Sequence, residues 1–122
     1  MNPTETVQAY QRACAEHDWA RLRPLLDERL EFTGPMMQTR GADEFIAAMQ
    51  NFGCAFENRV HHILESDGCV AVLLDCVFKE PCAATVRMSE WSQVSGGRIK
   101  KIQLLFDTAQ MPGMPPAAAA PS

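Results

Sequence analysis

The spacing of apolar residues changes once along the chain. Up to about residue 52 they recur at the three- and four-residue intervals of helices. From about residue 57 they alternate, or run together, as strands do. Asn2-Pro3 predicts a helix start, with Asn2 as cap and Pro3 in the first position. Val7, Tyr10, Ala13 and Cys14 follow on one face, so Tyr10 points inward. Asp18 caps a second short helix carrying Leu22, Leu25 and Leu26. Leu30 to Thr33 predicts a short strand stopped by Gly34-Pro35. Gly41 to Phe52 predicts a third helix with Phe45, Ile46 and Met49 facing in, ended by Gly53. Strands are then expected over Glu57 to Glu65 and Cys69 to Phe78, with turns at 66–68 and 80–82. The second is almost continuously apolar and so is expected to be covered on both faces. A long hairpin over Ala83 to Phe106 turns at Ser95-Gly96-Gly97. From Gln110 the chain is rich in Pro and Ala and has no core-forming pattern. The domain is therefore taken as 1–109 and the segment 110–122 as a mobile tail.

Helices first and strands later predict an α+β fold, with three N-terminal helices packed on one face of a curved antiparallel sheet. A three-residue loop at 95–97 sets Glu90 opposite Ile102, Met88 opposite Leu104 and Val86 opposite Phe106. One sheet face then becomes apolar with a carboxylate, Glu90, at its centre. A buried carboxylate is unfavourable unless it is paired or protonated, which makes this face the place to look for a site.

Composition narrows the function classes. The chain has 122 residues, 47% of them hydrophobic and 21% charged, enough for one domain. A net charge of −4 argues against nucleic acid as the main partner. No apolar run reaches membrane-spanning length and no signal-peptide pattern opens the chain, so no membrane association and a cytoplasmic location are expected. Five cysteines without a dense framework are read as free thiols. No metal-ligand spacing occurs, so no metal and no cofactor are expected.

The segments VQAYQRACAEHDWARLRPLL, RGADEFIAAM and SGGRIKKIQLLFD resemble the nuclear-transport-factor-2-like superfamily of cystatin-like α+β cones, over residues 4 to about 109. That superfamily includes SnoaL-like polyketide cyclases and ketosteroid isomerases. The resemblance implies an apolar pocket at the wide end of the cone, and a homodimer through the outer sheet face. Against the ketosteroid isomerases, Tyr10 matches the oxyanion-hole tyrosine, Glu90 a second, protonated acid, and Phe106 a pocket-lining position. The family's aspartate base is absent, because Gly34 stands in its place before Pro35.

The candidate site therefore combines Tyr10 as donor with Glu90 and His62 as acid and base. A three-residue turn at 66–68 sets His62 opposite Val72, and a matching turn at 80–82 sets Val72 opposite Glu90. A two-residue turn would select His61 instead. Met88, Leu104, Phe106, Val72 and Met37 are expected to line the ligand space. Asp75 and Arg87 fall opposite each other on the outer face as a structural ion pair, and Trp91 shares that face as an interface residue. The expected function is binding of a small apolar molecule with proton-transfer chemistry of isomerase, cyclase or dehydratase type. The alternative is a noncatalytic binding or dimeric interaction module.

Overall fold

The computed structural model describes residues 1–111. Helix α1 (Pro3–Ala15) is capped by Asn2, whose side chain accepts from the Glu5 amide while the Glu5 carboxylate accepts from the Asn2 amide. Asp18 caps α2 (Trp19–Leu22) through the Arg21 amide, and a 3-10 turn (Arg23–Leu25) leads into the sheet. Strands β1 (Leu26–Thr33) and β2 (Gln38–Arg40) precede α3 (Ala42–Phe52), which ends at Gly53 in the left-handed conformation. Strands β3 (Phe56–Ser66), β4 (Cys69–Phe78), β5 (Ala84–Ser95) and β6 (Arg98–Phe106) complete the fold.

The six strands form one sheet in the order β2-β1-β6-β5-β4-β3. All neighbours are antiparallel except β1 and β6, which run parallel, so the sheet is mixed where a purely antiparallel one was expected. No hairpin joins β1 to β6, so nothing local forces them to oppose each other. Along β4 the even-numbered residues are buried and the odd-numbered ones half-buried. The buried face meets α1 and α3, and there the core forms around Val7, Leu22, Leu26, Phe45, Val70 and Ile102. The second face of β4 is covered by no element among the described residues.

Two registers differ from expectation. The β5–β6 hairpin turns on Gly96 and Gly97 alone, both at positive φ (60° and 75°), with Ser95 opposite Arg98. That two-residue turn would by itself exchange the sheet faces. A bulge between Gln93 and Val94 adds the missing residue and restores them. Glu90 thus lies opposite Leu104, and Met88 opposite Phe106. The face assignment survives although the partners move by two residues. The β3–β4 hairpin likewise has a two-residue turn, with Ser66 opposite Cys69, and a bulge between Val60 and His62. Val72 lies opposite Glu90 as expected, but its β3 partner is Ile63, not His62.

Cys54 and Cys82 form a disulfide, correcting the reading of five free thiols, while Cys14, Cys69 and Cys76 are free. The bond joins the segment after α3 to the β4–β5 turn, 28 residues apart in sequence, so spacing gave no hint of it. No described helix is long and apolar enough to cross a membrane. Met111, assigned to the tail by its sequence context, is buried after a short 3-10 turn (Thr108–Gln110). The remainder of the expected tail, 112–122, lies outside the described residues.

Candidate functional site

Between α1, α3 and the concave sheet face lies a cavity of about 290 Å³. Its walls are aromatic and thioether side chains: Phe45, Met49 and Phe52 from α3, Phe56 from β3, Phe78 from β4 and Phe106 from β6. Met111 closes one side. Tilted ring pairs tie these walls together, Phe52 to Phe78 at 5.4 Å and Phe32 to Phe45 at 5.1 Å between centroids.

One polar cluster interrupts this lining. The Tyr10 hydroxyl donates to Glu90 Oε2 at 2.9 Å, and Gln11 Nε2 donates to Glu90 Oε1 at 3.1 Å. All three side chains line the cavity and all three are buried, Glu90 to 7% exposure. Local sequence explains the geometry. Tyr10 and Cys14 stand one turn apart on the inward face of α1, and Gln11 lies one turn after Val7 and beside Tyr10. Alternation along β5 turns Met88 and Glu90 inward together.

Burial raises the Glu90 carboxyl above the ordinary carboxylate range, and the hydrogen bonds from Gln11 and Tyr10 oppose this only in part. Tyr10 is raised well above its usual value, first by burial and then by the Glu90 charge. Burial and Glu90 also push the Cys76 thiol up to about 12, and Cys14 is raised by the same two causes. Both thiols are therefore neutral near pH 7, and neither is an activated nucleophile. Among the described residues, no group of three or more His, Cys, Asp and Glu side chains is placed to hold a metal ion.

The structure brings most of the anticipated residues together. Tyr10, Glu90, Met88, Leu104, Phe106 and Met37 all line the cavity. His62 does not. It lies exposed and opposite Leu73 on the other sheet face, because the hairpin turns on two residues, not three, and the register set there reaches His62 unchanged. His61 does not replace it. Its Nε2 lies 2.8 Å from Asp75 Oδ2 on that outer face, where Arg87 also binds Asp75. Together Arg87 and His61 hold the Asp75 carboxyl down at about 2. Val72 is 1% exposed but lies within the core beneath the cavity and is not part of its lining. Gln11 was missed, although its position four residues after Val7 placed it on the inward face of α1. Asn58, which lies opposite Cys76 and lines the cavity, was also missed, although the expected register of β3 already put it on that face. Gly34 lines the cavity as well. A Cβ there would approach the Phe32 ring to 3.2 Å, so the position that holds a carboxylate in ketosteroid isomerases is partly closed by that ring.

The model of the SnoaL-like domain matches residues 7–102. The chain belongs to that family. Solved structures agree on the fold. An epoxide hydrolase of the LEH-like type from Mycobacterium tuberculosis superposes with a TM-score of 0.81 at 18% identity, over 89% of this chain and 85% of that one. A candidate SnoaL-like polyketide cyclase from Shewanella denitrificans gives a TM-score of 0.81 at 15% identity, covering 88% and 92%. IdmH from Streptomyces antibioticus, described as a candidate polyketide cyclase, gives 0.81 at 16% identity, covering 91% and 96%. No curated protein matches the chain. In this SnoaL-like chain, Tyr10, Glu90 and Gln11 form a hydrogen-bonded cluster in the cavity lining.

Proposed function

We propose that the cavity binds a small, largely apolar molecule, and that Glu90, steadied by Tyr10 and Gln11, moves a proton to or from it. The observation that carries this is a single carboxyl set into an apolar cavity with both oxygens held by neutral donors. Such a group has a raised proton affinity and a fixed direction, the two requirements for general acid–base work near neutral pH. The reaction is of isomerase, cyclase or dehydratase type. The related structures carry the names of different chemistries, and the fold does not choose among them.

Noncatalytic binding is the second reading. Gly34 favours it, because among the described residues no second carboxylate faces the cavity to complete an acid–base pair. A saturable fluorescence rise with N-phenylnaphthylamine, abolished by Ala48→Trp in the cavity wall, tests occupancy. Native mass spectrometry of the purified protein then identifies a captured molecule. Hydrogen–deuterium exchange into that molecule, lost in Glu90→Gln, supports catalysis. Return of an unchanged and unexchanged ligand supports the binding module.

We further propose that two copies associate through the outer sheet face. Leu64, Ala71 and Trp91 lie side by side across three strands there, with Leu105 nearby, and Leu64, Trp91 and Leu105 are exposed. A second copy would cover this row and the half-buried side of β4.

A further inference from the structure

The cavity has a polar floor, and the direction of the hydrogen bonds there restricts what can face it. Tyr10 and Gln11 both aim their protons at Glu90. A carboxylate accepts at about four lone-pair sites, and two of them are taken here. What remains for a ligand is acceptor capacity at the free lone pairs of Glu90, the Tyr10 oxygen and the Gln11 carbonyl, with only neutral amide donors beside it, the second Gln11 N–H and Asn58. Among the described residues, no Lys, Arg or His side chain lines the cavity. The other ionisable groups that face Glu90 are Tyr10 and Cys14 from α1 and Cys76 from β4, and all three are held neutral by burial. A ligand carboxylate would therefore bring a buried charge to a site with no cation, and would compete with Glu90 for the same neutral donors.

We infer that this cavity takes a hydrophobic amine, its protonated nitrogen directed at Glu90 and its apolar body against the aromatic walls. This rests on the reading of the cavity as a small-molecule site. A protonated amine supplies what the floor lacks, a charge-assisted donor. It also offers Glu90 the partner that makes a buried ionised carboxyl tolerable. The rings of Tyr10, Phe45 and Phe32, linked at centroid distances of 6.2 and 5.1 Å, add faces that attract a cation. Because burial holds Glu90 towards its protonated form, an ammonium that binds there displaces the carboxyl proton to solvent and leaves an ion pair. The bond broken is the carboxyl O–H, the nitrogen keeps its protons, and one proton is released.

Three ligands on one hydrophobic body provide the test: naphthylmethylamine, naphthalenemethanol and naphthoic acid, titrated calorimetrically against the full chain in two buffers of different ionisation heat. The amine is expected to bind at least about tenfold more tightly than the acid and the alcohol. It should release protons on binding, and the alcohol should release none. Glu90→Gln should remove the amine's advantage over the alcohol. If that variant does not fold, the parent decides alone. Its amine affinity should fall as pH drops through the titration of Glu90, while its alcohol affinity stays flat. The acid or the alcohol binding as tightly as the amine overturns the inference and leaves the cavity a small-molecule site. So does an amine preference that is insensitive to Glu90 or to pH. If none of the three binds at millimolar concentration, the small-molecule reading itself fails, and the inference fails with it.

Discussion

Replacing Glu90 by Gln separates a buried acid from a structural ion pair. In the parent at pH 7, ionising Glu90 carries a desolvation penalty of several kcal/mol. Two charge-assisted hydrogen bonds, from Tyr10 and Gln11, oppose that penalty at roughly 1.5–3 kcal/mol each. Gln keeps the bond from Tyr10 and keeps the second if the Gln11 amide turns over. These neutral bonds contribute about 0.5–1.5 kcal/mol each, and no charge is desolvated. Burial is the largest influence on Glu90, so the penalty wins and its folded-state proton affinity is raised. The sign follows from linkage. A raised acid favours folding fully below the unfolded value near 4.3, and that contribution is lost as pH rises through the folded value. The Gln variant escapes the loss. It should equal or exceed the parent at pH 7, by on the order of 1 kcal/mol, and the gain should vanish by about pH 4. With a urea slope of roughly 1–2 kcal/mol/M, the midpoint moves up by about 0.5–1 M at pH 7. Urea melts of both proteins at the two pH values measure this directly. A Gln variant less stable than the parent by more than about 1 kcal/mol at pH 7 would refute the reasoning and make Glu90 a stabilising charged group.

Opening the Cys54–Cys82 bond with a Cys54→Ser, Cys82→Ser pair should lower stability by about 3–4 kcal/mol for a loop of 28 residues, measured by denaturant melts. No change would mean that the two thiols are not bonded in solution. Met111→Ala should cost about 2 kcal/mol and weaken N-phenylnaphthylamine binding, whereas an unaltered melt and affinity would return Met111 to the tail. Asp75→Asn should destabilise at pH 7. Asp75 is held down at about 2, so its contribution is present above the unfolded value near 3.9 and fades as pH falls towards 2. A pH-independent effect in paired melts would show that its ion pairs are idle. Trp91→Asp should convert a dimer to a monomer by light scattering, and a parent that stays monomeric on concentration removes the proposed interface.

Much of this was legible in sequence because local chemistry and long-range packing agree. The Asn2 and Asp18 caps, the Gly53 stop and the inward stripe of α1 are short-range signals, and the structure keeps them. Glu90 was found because face alternation along β5 needs only parity, and the bulge between Gln93 and Val94 happened to conserve it. His62 was lost to the same physics. The two-residue turn after Ser66 puts His62 on the outer face, and the bulge between Val60 and His62, which has no reliable one-residue signature, keeps His61 from replacing it. The parallel β1–β6 pair, the disulfide and the buried Met111 are all contacts between distant segments. No periodicity in the chain encodes them.

The most direct test of Glu90 as the acid of a ligand cavity is a carbon-13 NMR titration of its side-chain carboxyl, with and without N-phenylnaphthylamine. The midpoint should lie above the value near 4.3 of a free glutamate, and the probe should shift that resonance while leaving the exposed glutamates in place. A midpoint at or below 4.3, with a resonance indifferent to the probe, would contradict the assignment of Glu90 to a working site.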